Sequence, residues 1–287
     1  MEYGFEALPC AKTSKTNTGD NCANSWVAIG TNAFEDFVAR WNKDSATCAG
    51  GLKWQYTASA NGYYYKNSVS NGGFFQTAAR LARYTGNETF AHWATKIWDW
   101  STSVGFISDD FHVFDGAGDE NDANCSAVNT DQWSYNVASY VHGAAHMYAY
   151  TDGSTTWESR VQGLVGAAQK TFFGPTSSAA SVMYEQMCER DSTCDVDQTS
   201  FKASLSRWLG KTAVLVPSVR TSIQTLLEAS AKGAASSCSG YGNSTCGMSW
   251  YANGFDGQSD MGVQLSALET IQSLLATSAP KLAVASQ

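Results

Sequence analysis

The sequence predicts an all-helical fold, and three observations carry that expectation. Apolar residues recur at helical spacing in eight segments, the connections between segments alternate between short and long, and neither a heptad seam nor a repeat of fixed period is present. The first helix is expected over Trp26 to Trp41, where Trp26, Val27, Ile29, Phe34, Phe37, Val38 and Trp41 form a stripe. A Gly- and Tyr-rich loop, GGLKWQYTASANGYYYKNSVS, follows it. The second helix runs from about Asn71 to Tyr84 and is ended by Thr-Gly; the third spans about Glu88 to Thr102. Gly105 to Asn129 reads as loop or short strand, because HVFDGAGDENDANC is dense in turn formers. Helices are then expected over Asp131 to Tyr150 and, after a Thr-Asp-Gly-Ser turn, over Thr155 to Phe172. The last three are placed at Asp197 to Leu209, Ser218 to Ser236 and Asp260 to Ala276.

Alternating connections between antiparallel helices suggest a ring of helical hairpins with its long loops gathered on one face. The helix Asp131 to Tyr150, rich in Ala, Gly and aromatics, suits the inner layer of such a ring. A closed six-hairpin toroid needs twelve helices and eight are expected here, so the ring is predicted to be incomplete, with apolar faces left open. The domain reading is an irregular segment at 1–24, a helical domain at 25–277 and a tail at 278–287.

Composition points to the outside of the cell. Charged residues make up 15% of the 287, against roughly 25% in an average globular chain. A surface rich in Ser, Thr, Asn and aromatics suits neutral polar ligands. The ten Trp and thirteen Tyr supply faces that stack on sugar rings, although most are expected in the core. Net charge is −8 without a Lys/Arg cluster, which argues against nucleic acid and anionic membrane as partners. Eight cysteines are too many for a typical reduced cytosolic domain. Cys188 with Cys194 and Cys238 with Cys246 enclose short polar loops, Cys10 and Cys22 could form a third local pair, and Cys48 and Cys125 then remain for a long-range staple. Zinc is disfavoured because no C-x-x-C occurs. Sequons at Asn87, Asn124 and Asn243 agree with an oxidising, extracytoplasmic setting. MEYGFEALPCAKTSKT nevertheless holds no signal-peptide core, no stretch reaches transmembrane length, and ATSAPKLAVASQ holds no lipid-anchor signal. The expectation is the mature part of a longer precursor, or a fragment.

Seven strings occur in one order: CAGGLKWQ (48–55), NGYYYKNSVSNGGFFQTAARLARYTGN (61–87), VFDGA (113–117), WSYN (133–136), GAAHMYAYT (143–151), CDVDQTSFKASLSRWL (194–209) and CGMSW (246–250). This series resembles fungal glycoside hydrolase family 76, the α-1,6-mannanase-like branch tied to cross-linking of mannoproteins through the glycan of GPI anchors. The resemblance covers about residues 20 to 277 and implies an (α/α)6 barrel. It also implies a mannan endo-1,6-α-mannosidase type of glycosidase or transglycosidase, acting without a cofactor or metal on α-1,6-mannose of cell-wall mannan or GPI glycan. The implied setting is the secreted or cell-wall compartment, with membrane association only through a lipid anchor in full-length relatives.

Similar family members carry a tandem Asp-Asp, the nucleophile and general acid/base of a retaining mechanism, upstream of the GGLKWQ-like segment. One carboxylate must be ionised to attack the anomeric carbon and the other must hold a proton for the leaving oxygen, at about 5 Å separation. No such pair precedes Cys48, so no catalytic residue is assigned. The alternative function is therefore an inactive fragment or a mannan-binding remnant; a disulfide-linked structural protein unrelated to sugars is a third reading. The rival pair Asp109-Asp110, in GFISDDFHVFDG, reads as turn carboxylates. The resemblance puts Asp115 in the substrate groove, where its other reading is an Asx-turn. Trp54 and Asn71 are placed near the same groove. Tyr135 and Asn136 fall on the proposed inner helix, where Asn136 would bond a sugar hydroxyl, Asp115 or a core group. Glu185 and Glu189 flank Cys188 and are expected to brace its loop. His142 and His146, four apart, lack a third ligand and read as core or surface residues.

Overall fold

The computed structural model describes residues 25–120 and 123–277. Eight α-helices form among them: α1 Trp26–Lys43, α2 Ser68–Thr85, α3 Glu88–Ser103, α4 Ser134–Tyr150, α5 Thr155–Phe172, α6 Phe201–Leu215, α7 Arg220–Ser237 and α8 Met261–Thr277. Helices α2, α4, α6 and α8 pack one against the next as an inner layer, and α3, α5 and α7 back onto them from outside. The result is an arc of helical hairpins of the toroid class. Long connections all lead into inner helices, so they converge on one face; the turns between α2 and α3, α4 and α5, and α6 and α7 are short. Three short strands, β1 Tyr65–Asn67, β2 Gly116–Gly118 and β3 Val128–Asn129, pair antiparallel in that order and fasten the loop before α2 to the loop before α4.

Helix limits follow local chemistry. α2 begins earlier than the apolar stripe suggests because Asn67 caps it, its side chain accepting from Ser70 N at 3.2 Å. It ends at Gly86, whose φ of 72° places it in the left-handed cap conformation. α4 begins later than expected: Asp131 to Trp133 stay outside the helix, and no side chain of Trp133 caps it. α6 also starts late, because the Asp195 carboxylate accepts from the backbone of Asp197 and Gln198 at 3.0 Å each and holds a turn there. It then runs past Leu209 to Leu215, until Pro217 excludes its continuation.

The core is aromatic on the α1–α3 side. Trp41 packs edge-on against Trp100 at 5.2 Å between ring centroids, and Phe34 packs likewise against Phe90 at 4.7 Å. α4 is the central helix, with every residue from Asn136 to Met147 buried. Gly143 lets it approach α2 closely, since a Cβ there would stand 2.5 Å from the Phe75 ring. The expected pairs Cys48–Cys125, Cys188–Cys194 and Cys238–Cys246 are all bridged. The 77-residue separation of the first corresponds to a chain-entropy stabilisation on the order of 4 kcal/mol. Cys10, Cys22 and the tail at 278–287 lie outside the described residues.

Buried polar side chains organise the loop before α2. Lys66 is fully buried and donates to the carbonyls of Asp44, Thr47 and Gly50 at 2.8, 2.8 and 2.6 Å, one for each ammonium proton. Trp100 Nε1 donates to Cys48 O at 2.8 Å. Gly51, at φ 85°, lies so close to the Trp100 ring that a Cβ would stand 2.1 Å from it. This explains the tandem glycine of CAGGLKW.

α8 carries an exposed apolar stripe, Met261, Leu265, Leu268, Ile271 and Leu275, at helical spacing. It is the last helix of the inner layer, and among the described residues this stripe stays exposed. Two outcomes are predicted. Lys66→Met strands one buried and two partly buried carbonyls and lowers stability by about 2 kcal/mol in a denaturant melt. An environment-sensitive hydrophobic dye binds the folded protein, and Leu268→Glu with Leu275→Glu reduces its fluorescence gain; unchanged dye binding would place the exposed apolar surface elsewhere.

Candidate active site

The converging loops bring two of the expected site residues, Asp115 and Asn136, into contact, with Tyr135 next to Asn136 on α4. Asp115 sits immediately before β2, half-buried, with Tyr65 and Asn136 on either side. The Tyr65 hydroxyl donates to Asp115 Oδ2 at 2.8 Å and Asn136 Nδ2 donates to Oδ1 at 3.3 Å. Backbone bonds from Ser68 N to Asp115 O (2.8 Å) and from Asp115 N to Asn129 O (3.2 Å) fix the residue between the start of α2 and β3. Burial raises the Asp115 carboxyl above the ordinary carboxylate range, opposed by the bonds from Tyr65 and Asn136 and assisted by the charge of Asp131. Each carboxylate oxygen spends one lone pair on the protein and keeps acceptor capacity for a ligand. Asn136 is fully buried, and its Oδ1 has no hydrogen-bond partner among the described residues.

Tyr135, on the first turn of α4, packs its ring on Phe201 of α6 at 4.0 Å between centroids. Burial raises its hydroxyl pKa, and the nearby charges of Asp115, Glu185 and Asp197 raise it further. Three acidic side chains, Asp115, Glu185 and Asp197, thus act on the surroundings of the α4 N-terminus, the end of the helix dipole that attracts negative charge.

Glu185 explains why α4 begins where it does. Its carboxylate, fully buried, accepts from Ser134 N at 3.1 Å and from the Ser134 hydroxyl, capping α4 from 51 residues away. The Glu185 backbone N–H donates in turn to Glu189 Oε2 at 2.8 Å. Glu189 pairs with Lys202 of α6 at 2.9 Å, and Lys202 also donates to Met248 O at 2.6 Å and lies 3.8 Å from the centroid of the Trp250 ring. The two glutamates therefore do more than brace the disulfide loop, since they tie it to both α4 and α6. Burial pushes the Glu185 carboxyl up to about 8, and it raises Glu189 against the pull of Lys202.

The remaining expected residues separate from this cluster. Asn71 is fully buried with its amide committed: Oδ1 accepts from Leu52 N at 2.8 Å, and Nδ2 donates to Leu52 O at 3.1 Å and to Asn67 O at 2.8 Å. These bonds fix the loop that precedes α2 against the start of that helix. Trp54 is half exposed on that loop. Asp109 and Asp110 sit in an exposed turn, where Asp110 accepts from the Ser108 hydroxyl at 2.6 Å and lies 3.6 Å from His112 Nε2. The Ser108 bond lowers the Asp110 pKa, the wrong direction for a proton-holding acid. His142 and His146 are core residues, Nε2 to Nε2 at 3.0 Å, with His142 stacked on Trp208. Desolvation keeps both neutral. Among the described residues no group of three His, Cys, Asp or Glu side chains could hold a metal ion. Sequence reasoning missed Tyr65 and Phe201. An aromatic next to polar partners gives no periodic signal, and only the pairing of β1 with β2 brings Tyr65 to Asp115.

A helical toroid whose long loops surround a fixed carboxylate is a class used by carbohydrate-active enzymes. The description of glycosyl hydrolase family 76 matches residues 1–286, and the chain belongs to that family. A putative mannan endo-1,6-alpha-mannosidase of Schizosaccharomyces pombe is 43% identical over 96% of this chain and 61% of its own length. The mannan endo-1,6-alpha-mannosidase DCW1 of Candida albicans is 42% identical over 97% of this chain and 61% of its own. The chain thus spans about three fifths of the curated relatives it matches. Crystalline Dfg5 from Chaetomium thermophilum, in complex with glucosamine, superposes with a TM-score of 0.83 at 33% identity, over 98% of this chain and 67% of that one. An inactive variant of an α-1,6-mannanase of Salegentibacter, bound to α-1,6-mannotriose, shares the fold with a TM-score of 0.66 at 19% identity, over 86% of this chain and 68% of that one.

The Glu185 pKa has a signed consequence. Folded, Glu185 keeps its proton to about pH 8; unfolded, it loses it near 4.3, so between those values the folded state binds more protons and stability falls as pH rises. Glu189 has the same sign. The melting temperature is predicted to fall from about pH 5 to about pH 8, with a shallower slope in Glu185→Gln. Equal slopes in the two proteins would show that Glu185 does not titrate in this range.

Proposed function

We propose that this chain forms a substrate-recognising wall of a mannan endo-1,6-α-mannosidase-type glycosidase or transglycosidase. Its substrate is α-1,6-linked mannose in fungal cell-wall mannan or in the glycan of a GPI anchor, and its setting is the cell surface or wall, with any membrane attachment through a lipid anchor of the full-length form. The observation that carries this reading is the Asp115 carboxylate, held on both oxygens yet still able to accept. Such a group orients the hydroxyls of a neutral sugar without presenting a loose charge. Family membership and the names of the relatives support the same assignment. Trp54 and Tyr135 supply aromatic surface for the pyranose faces.

In the retaining mechanism a carboxylate attacks the anomeric carbon while a second carboxyl protonates the departing oxygen. Water or a sugar hydroxyl then resolves the glycosyl-enzyme, which makes the two outcomes, hydrolysis and transfer, variants of one pathway. A second reading, recognition without turnover by this polypeptide, is favoured by one specific feature. Among the described residues the Tyr65–Asp115–Asn136 cluster contains a single carboxylate, whereas the chemistry requires two about 5 Å apart.

Titration of the chain with α-1,6-mannotriose is expected to give saturable binding. Asp115→Asn and Asn136→Ala should each weaken it by about tenfold, equivalent to roughly 1.4 kcal/mol. Undiminished affinity in both variants would remove the cluster from the binding site. Release or transfer of α-1,6-mannosyl units that disappears in Asp109→Ala or Asp110→Ala would instead move the chemistry to the exposed turn.

A further inference from the structure

A depression lies between α1 and the loop that precedes α2. It has a volume of about 230 Å3 and is enclosed by the C-terminal half of α1 and residues 55–63. On α1, Asp36, Arg40 and Lys43 recur at four- and three-residue spacing and share one face, and Asp44 follows as the residue that ends the helix. Ala39 between them presents only a methyl and leaves the space open. Opposite stand Gln55, Tyr56 and Tyr63.

The wall is pre-organised. The Tyr56 hydroxyl donates to Asp36 Oδ1 at 3.0 Å, and the Arg40 guanidinium lies 4.6 Å from the centroid of the Tyr56 ring. Arg40 also donates to Lys53 O at 3.1 Å, which anchors α1 to the loop. The Asp36 bond raises the Tyr56 pKa, so the hydroxyl stays a donor. Tyr56 is nevertheless 66% exposed. A large aromatic held in place at the surface is an unusual expense for a chain with ample core, and it lowers the entropy lost on binding. The neighbouring loop is also braced, because the Trp54 ring rests on Gly62, where φ is 82° and a Cβ would stand 2.6 Å from it.

The chemistry of the depression selects its ligand. Two carboxylates face two cations, so no net charge favours an anion or a cation. Among the described residues no hydrogen bond occupies the side chains of Lys43, Asp44 or Gln55, which leaves ammonium and amide donors beside carboxylate and amide acceptors. Alternating donors and acceptors beside an aromatic ring match a polyhydroxylated ring with one apolar face. The volume lies just below the roughly 300–1,000 Å3 typical of drug-sized ligands, which leaves room for one ring rather than a chain. No residue of the Asp115 cluster lines it.

We propose that this depression binds a single neutral hexopyranose unit, as a second saccharide site separate from the Asp115 cluster. It holds a glycan at the outer rim while the cluster engages another stretch of the same or a different chain. The site does not depend on the function proposed above, and the test reads the two independently.

The experiment follows the Gln55 side-chain amide and Arg40 Nε of the isotopically labelled chain by NMR during titration with methyl α-mannopyranoside and with α-1,6-mannobiose. Both signals are expected to shift with saturation. Tyr56→Ala is expected to weaken the fitted affinity about tenfold or more, and Lys43→Ala, at an exposed position, serves should Tyr56→Ala fail to fold. The Gln55 shifts should persist in Asp115→Asn, whose own effect is read at the Asn136 amide. Immobile Gln55 and Arg40 signals at millimolar sugar would overturn the proposal. So would shifts lost equally in Asp115→Asn, which would make the two regions one continuous cleft, or larger shifts with inorganic phosphate than with sugar, which would make the site an anion site.

Discussion

Every long connection in this chain enters an inner helix at the same end of the arc, and the backbone groups buried there must all find hydrogen-bond partners. That requirement governs the structure more than any single apolar contact. The partners are polar side chains sent in from elsewhere: Lys66 into three carbonyls, Asn71 onto both backbone groups of Leu52, Glu185 onto the start of α4, and Lys202 onto Met248. Each fills a position that water would occupy in an exposed loop. The loops are therefore rigid supports for a site, not loose covers over it.

The same accounting links loop to chemistry. Glu185 decides where α4 starts, and the start of α4 decides where Tyr135 and Asn136 stand. Asn136 then meets Asp115, which the pairing of β1 with β2 has already brought beside Tyr65. A change at Glu185 would reach Asp115 through one helical turn without touching a ligand. Lys66 acts similarly on the other side, since the strand that carries it also carries Tyr65. Fixing a carboxylate by partners that are themselves fixed is what lets it orient a neutral sugar, whose hydroxyls offer little binding energy individually.

The arc also shows how separable the layers are. Inner helices meet through glycine, alanine and aromatic contacts that need only their immediate neighbours, so an ordered succession forms from eight helices. The exposed apolar stripe on α8 marks the end of that succession. Its residues follow the same helical spacing as those that face a neighbour elsewhere in the layer, and among the described residues they remain partly to largely exposed.

Much of this was legible in the sequence because helices and hairpins are local. The 3.6-residue stripes, the alternation of short and long connections and the cysteine spacings determined the eight helices, the toroid class and the three observed bridges. The ordered strings determined the family. Only the tertiary structure decided where α4 begins, because its capping group comes from Glu185, 51 residues distant. It decided what the Asn71 amide bonds, namely both backbone groups of Leu52. It also decided Tyr65, since no spacing rule connects a tyrosine in a loop to an aspartate fifty residues later. Propensity and periodicity act over a few residues and are written along the chain. Satisfaction of buried polar groups acts across space, and partner choice there depends on which loops the fold brings to the same face.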